Sequence, residues 1–152
     1  MPTFSIIIPV KELNDYVRET VPYIVGLDYS DWELFIVTND EQSSEWPDEP
    51  RIKMMSSGRV GPAEKRDLAA RVAIGMYLVF LDDDSYPESN LLSLALTKFT
   101  SGSVALGGPA MTPASDSFKQ KVSGVVFSSR ITGGSPERYR PVGEQREVDD
   151  WP

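Results

Sequence analysis

Short β-branched apolar runs recur along this chain, and between them the apolar residues fall at helical spacing. That alternation restricts the fold more than any other feature. A strand–helix–strand repeat satisfies its backbone as a mostly parallel sheet with helices on both faces. The first run, FSIIIPV (Phe4–Val10), ends in Pro-Val and reads as a buried strand. In NDYVRETVPYIVGLDY, with Leu13 just ahead of it, the residues Leu13, Val17, Val21, Ile24 and Val25 keep helical spacing. Asn14 or Asp15 can cap that helix, and Pro22 inside it is expected to kink or interrupt it. WELFIVTND (Trp32–Asp40) reads as a second strand and RIKMMS as a short third. After the turn SGRVG, Pro62 suits the first position of a helix running to about Ile74. MYLVFL is the next strand and the most apolar of all. A helix is expected over roughly Glu88–Phe99 and a strand at SVALGG (Ser103–Gly108). A further helix bears Phe118, Val122, Val125 and Val126, capped by Ser115 or Asp116, and another strand falls near Gln145–Val148. No repeat, low-complexity tract or linker interrupts the pattern, so the expectation is one α/β, Rossmann-like domain over residues 1–152.

In open sheets of this kind ligands sit at the carboxyl ends of the strands. The polar residues that follow the strands are Lys11 and Glu12, Asn39 and Asp40, and Asp82 to Asp84. The last group is the densest: MYLVFLDDDSYPE runs from six apolar residues straight into three aspartates. Two carboxylates about 5 Å apart repel by about 3 kcal/mol at an effective dielectric near 20. A solvated turn capping the next helix accounts for any one of these aspartates taken alone. Three in succession ask for more. Alternate residues of an extended segment point the same way, so Asp82 and Asp84 are expected on one side and Asp83 on the other. A pair of hard oxygen donors suits Mg²⁺ or Mn²⁺, which take one or two carboxylates and complete their shell with water and substrate phosphate. An EF-hand calcium loop is not matched, because its glycine and distal glutamate are missing at the required spacing.

Composition narrows the chemistry further. The chain has no cysteine and no histidine. Cys/His zinc sites, disulfides, thiol catalysis and a histidine general base are therefore excluded. A net charge of −8 argues against a nucleic-acid partner. The N-terminal apolar run lacks a basic flank and is too short for a signal peptide, and nothing approaches the ~20 apolar residues of a membrane span. Absence of cysteine fits a cytoplasmic location, and peripheral membrane contact stays compatible with the sequence.

SIIIPVKE, LFIVTND, GPAEKRDLAA and YLVFLDDDSYP occur in that order. Together they resemble the nucleotide-binding half of a family 2 glycosyltransferase of the GT-A fold, well over Phe4–Leu92 and loosely beyond. The resemblance implies transfer of a sugar, of the hexosyltransferase type, from a nucleotide-diphosphate donor to an acceptor hydroxyl on a glycan, lipid or small molecule, normally with inversion. It implies that Pro9, Val10 and Glu12 line the nucleoside pocket and that Asp40 or Asn39 faces the base. VTND departs there from the paired aspartates usual in the family. Lys65, Arg66 and Asp67 stand where the family has Ala-Arg-Asn. Arg66 is the candidate for the nucleotide or its phosphates, against the plainer reading of a helix arginine paired with Glu64 or Asp67. Asp82 and Asp83 fall at the ribose and sugar, and Asp84 with Asp82 at the metal, Mg²⁺ or Mn²⁺.

The resemblance also places the catalytic base well beyond the donor site, past residue 152. The chain is accordingly expected to be incomplete on its acceptor side and to transfer sugar poorly by itself. Asp149 and Asp150 are the nearest acids, placed either near the acceptor or as surface acids. Arg130, Arg138 and Arg140 in RITGGSPERYRP could cover the diphosphate or sit in a solvated loop, the favoured reading. Two alternatives compete with a transferase. A sugar nucleotidyltransferase would want a glycine-rich loop after the first strand, and PVKELND has no glycine. A non-catalytic nucleotide-binding or scaffold domain could keep the same fold.

Overall fold

The computed structural model describes residues 3–103, 105–112, 117–129 and 139. They fall into two compact units, one through Gly102 and one from Ser103 onward. In the first unit the element order is β1 (Phe4–Pro9), α1 (Asp15–Val25), β2 (Trp32–Thr38), β3 (Ile52–Ser56), α2 (Pro62–Val72), β4 (Tyr77–Phe80) and α3 (Leu91–Thr100). The four strands form one sheet in the order β3-β2-β1-β4. Every pairing is parallel: Phe4 lies opposite Trp32 and Tyr77, and Leu34 opposite Ile52. This is the α/β architecture that the alternating pattern predicts.

β1 is buried along its whole length, and its two faces feed two cores. Phe4, Ile6 and Ile8 point to the larger one, with Trp32, Leu34 and Ile36 of β2, Val17, Val21 and Ile24 of α1, and Leu92 of α3. Ile7 points the other way, to Phe35, Val37 and Ala69 of α2. Each fully buried aliphatic side chain of this kind contributes about 1.5–3 kcal/mol. Pro9 is tolerated in this central strand because the ladder to β4 ends at Ile7–Phe80, before the missing N–H is needed on that side.

Several local expectations change. α1 is capped by Asn14, whose Oδ1 accepts from the Val17 amide at 2.9 Å, and it continues past Pro22 to Val25 without interruption. α2 stops at Val72 instead of Ile74. The Ile74 amide donates to Glu33 Oε1 and the Gly75 amide to Ser5 Oγ, both at 2.9 Å, so these two N–H groups leave the helical ladder. α3 begins at Leu91, after a turn in which the Leu91 amide bonds the Glu88 carbonyl. β4 is less buried than its composition suggests. It lies at the sheet edge, and α2 covers β1 and β2, so Leu78 and Phe80 stay 40% and 50% exposed. Ser103 and residues 105–108 do not form the expected strand, and Gly102 with φ 105° turns the chain just before them. In the second unit α4 (Phe118–Phe127) forms as expected, with Phe127 stacked on Tyr139 at 5.2 Å between ring centroids. The Ser115 or Asp116 cap and the strand near Gln145–Val148 lie outside the described residues.

Under the first unit's sheet lies a buried carboxylate. Glu33, 3% exposed, accepts from Ser5 Oγ and Lys53 Nζ at 2.6 Å each, and from the Ile74 amide. Gly75 passes so close that a Cβ there would meet the Ser5 amide nitrogen at 2.6 Å. Burial alone would raise the Glu33 carboxyl, but the bonds from Lys53, Ser5 and Ile74 outweigh it and hold the group below its ordinary value. A depressed folded-state pKa stabilises the fold above the ordinary carboxylate range, and that stability is lost as pH falls through the folded value. Glu33→Gln is expected to cost about 1–3 kcal/mol at neutral pH. Denaturant titrations at stepped pH should show a shallower acid loss for the variant than for the native chain.

Candidate functional site

Because all four strands run the same way, their carboxyl ends share one edge of the sheet. Backbone hydrogen bonds stitch this edge beyond the strands. The Val10 amide donates to Val37 O, the Asn39 amide to Lys11 O, the Ser57 amide to Thr38 O and the Leu81 amide to Ile7 O, at 2.9–3.1 Å. Thr38 Oγ1 donates to the Asp40 carbonyl at 2.8 Å and so closes the turn after β2. Val10 is buried, Glu12 and Asp40 are exposed, and Asn39 is half-buried. Pro9, Val10, Glu12, Asn39 and Asp40 are thus brought to one edge, as the strand pattern predicts.

The three aspartates lie past the end of β4, in a turn closed by the Ser85 amide on the Asp82 carbonyl, and not in an extended segment. Asp82 and Asp84 are exposed, whereas Asp83 is half-buried. Asp83 Oδ2 accepts from Asn14 Nδ2 and its carbonyl accepts from Thr20 Oγ1, both at 2.7 Å. Asp83 therefore ties the turn after β4 to α1. Arg66 takes neither Glu64 nor Asp67 as partner. Its Nη2 reaches Asp82 Oδ1 at 2.5 Å, across from α2 to the end of β4. With Asp82 68% exposed, this pair adds little stability. It does put a guanidinium and the aspartate run side by side. Among the described residues no group of three or more acidic side chains converges as a ready-made metal cage. Arg130, Arg138, Arg140, Asp149 and Asp150 lie outside the described residues.

Lys65 is the residue that the motif reading passed over. It is 2% exposed, and its Nζ donates to the Val10 carbonyl and, at 2.7 Å, to Asn39 Oδ1. One buried ammonium thereby ties α2 to the ends of β1 and β2. Burial pushes its pKa down, Asp40 pulls it up, and Lys11 pushes it down further. The signal was present in the sequence: Lys65 stands one helical turn before Ala69, and these are the two buried residues of α2.

In open α/β sheets ligands bind at the carboxyl ends of the strands, the edge to which Asn39, Asp40, Lys65 and Arg66 are brought. The comparisons make the family definite: the chain belongs to glycosyl transferase family 2, whose model matches residues 5–147. The fold is GT-A-like and is shared with solved glycosyltransferases. The S. aureus TarS 1–349 structure has a TM-score of 0.64 at 19% identity over 77% of this chain. TarS 1–349 solved with UDP-GlcNAc gives 0.61 at 20% identity, also over 77%. A mannosyltransferase from Pyrobaculum calidifontis, solved with GDP-Man and Mn²⁺, gives 0.55 at 18% identity over 84%. The chain spans 38%, 37% and 39% of those three structures respectively. A search of the curated proteins finds no match. No helix among the described residues is long and apolar enough to cross a membrane.

The division of labour among the aspartates is open to measurement. Asp83→Ala removes the Asn14 contact and should cost about 1–2 kcal/mol, whereas Asp84→Ala should stay within about 0.5 kcal/mol of the native chain. Urea midpoints of the two variants compare them directly.

Proposed function

We propose that this chain binds the nucleotide-diphosphate sugar donor of a glycosyltransferase, which moves the sugar to an acceptor hydroxyl. The observation that carries this reading is the juxtaposition of Arg66 with the Asp82–Asp84 run on the carboxyl edge of a family 2 sheet. Pro9, Val10 and Glu12 lie where a nucleoside would sit, beside Asn39 and Asp40 at the end of β2. Asp84 and Asp82 fit a hard dication, Mg²⁺ or Mn²⁺, as two oxygen donors that leave the rest of the shell to diphosphate and water. Such an ion, when bound, neutralises charge that builds on the leaving diphosphate. Arg66, already within reach of Asp82, presents a planar fork of donors suited to phosphate oxygens. Asp83 holds the turn against α1 and leaves its two exposed neighbours to solvent.

The donor chemistry of the neighbours supports the reading: one was solved with UDP-GlcNAc, another with GDP-Man and Mn²⁺. The acceptor is a glycan, lipid or small molecule, with peripheral membrane contact compatible with it. Absence of cysteine fits a cytoplasmic setting.

Calorimetric titration with UDP-, dTDP- and GDP-linked sugars, with and without Mn²⁺, tests the proposal. At least one donor should bind, and more tightly with the cation. Asp84→Asn should reduce the cation-dependent part by about 10-fold or more, and Arg66→Met should weaken binding with or without metal. A folded protein that takes up none of these donors refutes the proposal.

A further inference from the structure

The geometry points to Lys65 as a positioning residue for base selection: its buried ammonium takes Asn39 Oδ1 and thereby leaves the Asn39 amide nitrogen as a hydrogen-bond donor at the end of β2. The inference rests on the donor-site reading given above. An ammonium has donors only, so the amide atom it meets is necessarily the oxygen. The contact is 2.7 Å long, and the same Nζ also donates to the Val10 carbonyl. With Lys65 2% exposed, water offers no competing partner, and a flipped amide would set N–H against N–H inside the fold. Asn39 Nδ2 has no hydrogen-bond partner among the described residues. The Asn39 backbone is fixed as well, by its amide to Lys11 O and by the Gly58 amide on its carbonyl, both at 2.9 Å.

Asp40, the next residue, is an exposed carboxylate and an acceptor only. The end of β2 therefore offers an amide donor beside a carboxylate acceptor. The base edge that complements it carries an exocyclic carbonyl next to a ring N–H. Uracil, thymine and guanine have that edge. Cytosine and adenine present the inverse, an exocyclic amine beside an unprotonated ring nitrogen. Selection should thus follow the donor–acceptor order of the base and not its size.

Four probes separate order from size: UDP against CDP, and GDP against ADP, titrated calorimetrically at one fixed Mn²⁺ concentration. In the native chain the carbonyl-bearing member of at least one pair should bind about tenfold or more tighter than its partner. Asn39→Asp replaces the outward donor by an acceptor and should abolish or invert that preference. Lys65→Met frees the amide to flip, so the ratio should shrink to within about threefold while the folded variant still binds. Should Lys65→Met fail to fold, Asn39→Asp decides alone: a collapsed ratio supports the inference and an unchanged one overturns it. Equal binding of both members in both pairs by the native chain overturns the inference and leaves the donor-site reading standing. Full discrimination retained by a folded Lys65→Met also overturns it. Binding of none of the four nucleotides removes the donor-site reading, and this inference with it.

Discussion

Parallel pairing on both sides of β1 is the constraint from which the rest of the molecule follows. A strand whose six residues are all buried has no solvent edge, so both of its ladders must be filled by other strands. Parallel neighbours need crossovers, and α1 and α2 supply them on opposite faces. The same choice sends every carboxyl end to one edge. Polar residues that are scattered over some seventy positions of sequence become neighbours there. Chemistry on that edge is a by-product of strand direction.

Much of this was legible from the sequence because it depends on local pattern. The β-branched runs, the helical spacing of Val17, Val21 and Ile24, the Asn14 cap and Pro62 at a helix start all act within one element. The four-motif order was enough to suggest the family, which the match over residues 5–147 establishes. What escaped depends on partners far along the chain. α2 ends early because its last amides are drawn to Glu33 and Ser5, about 40 and 70 residues away. β4 is the most apolar strand by composition, yet its place at the edge leaves Leu78 and Phe80 half-uncovered. Pro22 is accommodated without ending α1, where helical propensity alone would stop it.

The candidate site shows the same split. Alternation along the chain assumed an extended segment, whereas Asp82 to Asp84 sit in a turn in which Asp83 alone is half-buried. It could not supply the reason, which is the pull of Asn14 and Thr20 on Asp83. Nor could it pair Arg66 with Asp82 in place of its helix neighbours, since that contact exists only once the chain has brought the turn after β4 within reach of the Arg66 side chain. Lys65 was overlooked because a lysine in a helix usually faces water. Here it replaces an apolar contact on the inner face and binds two strand ends that no helical side chain of shorter reach could join.

The two anchors of α2 have a mechanical corollary. Near its start, Lys65 grips the upper ends of β1 and β2, and just past its last turn Ile74 and Gly75 are fastened to Glu33 and Ser5 at the lower ends of the same strands. Sliding this helix along the sheet would break buried polar contacts at both extremities together. Arg66 follows Lys65 directly, so its reach to Asp82 starts from a backbone that is held against sliding along the sheet.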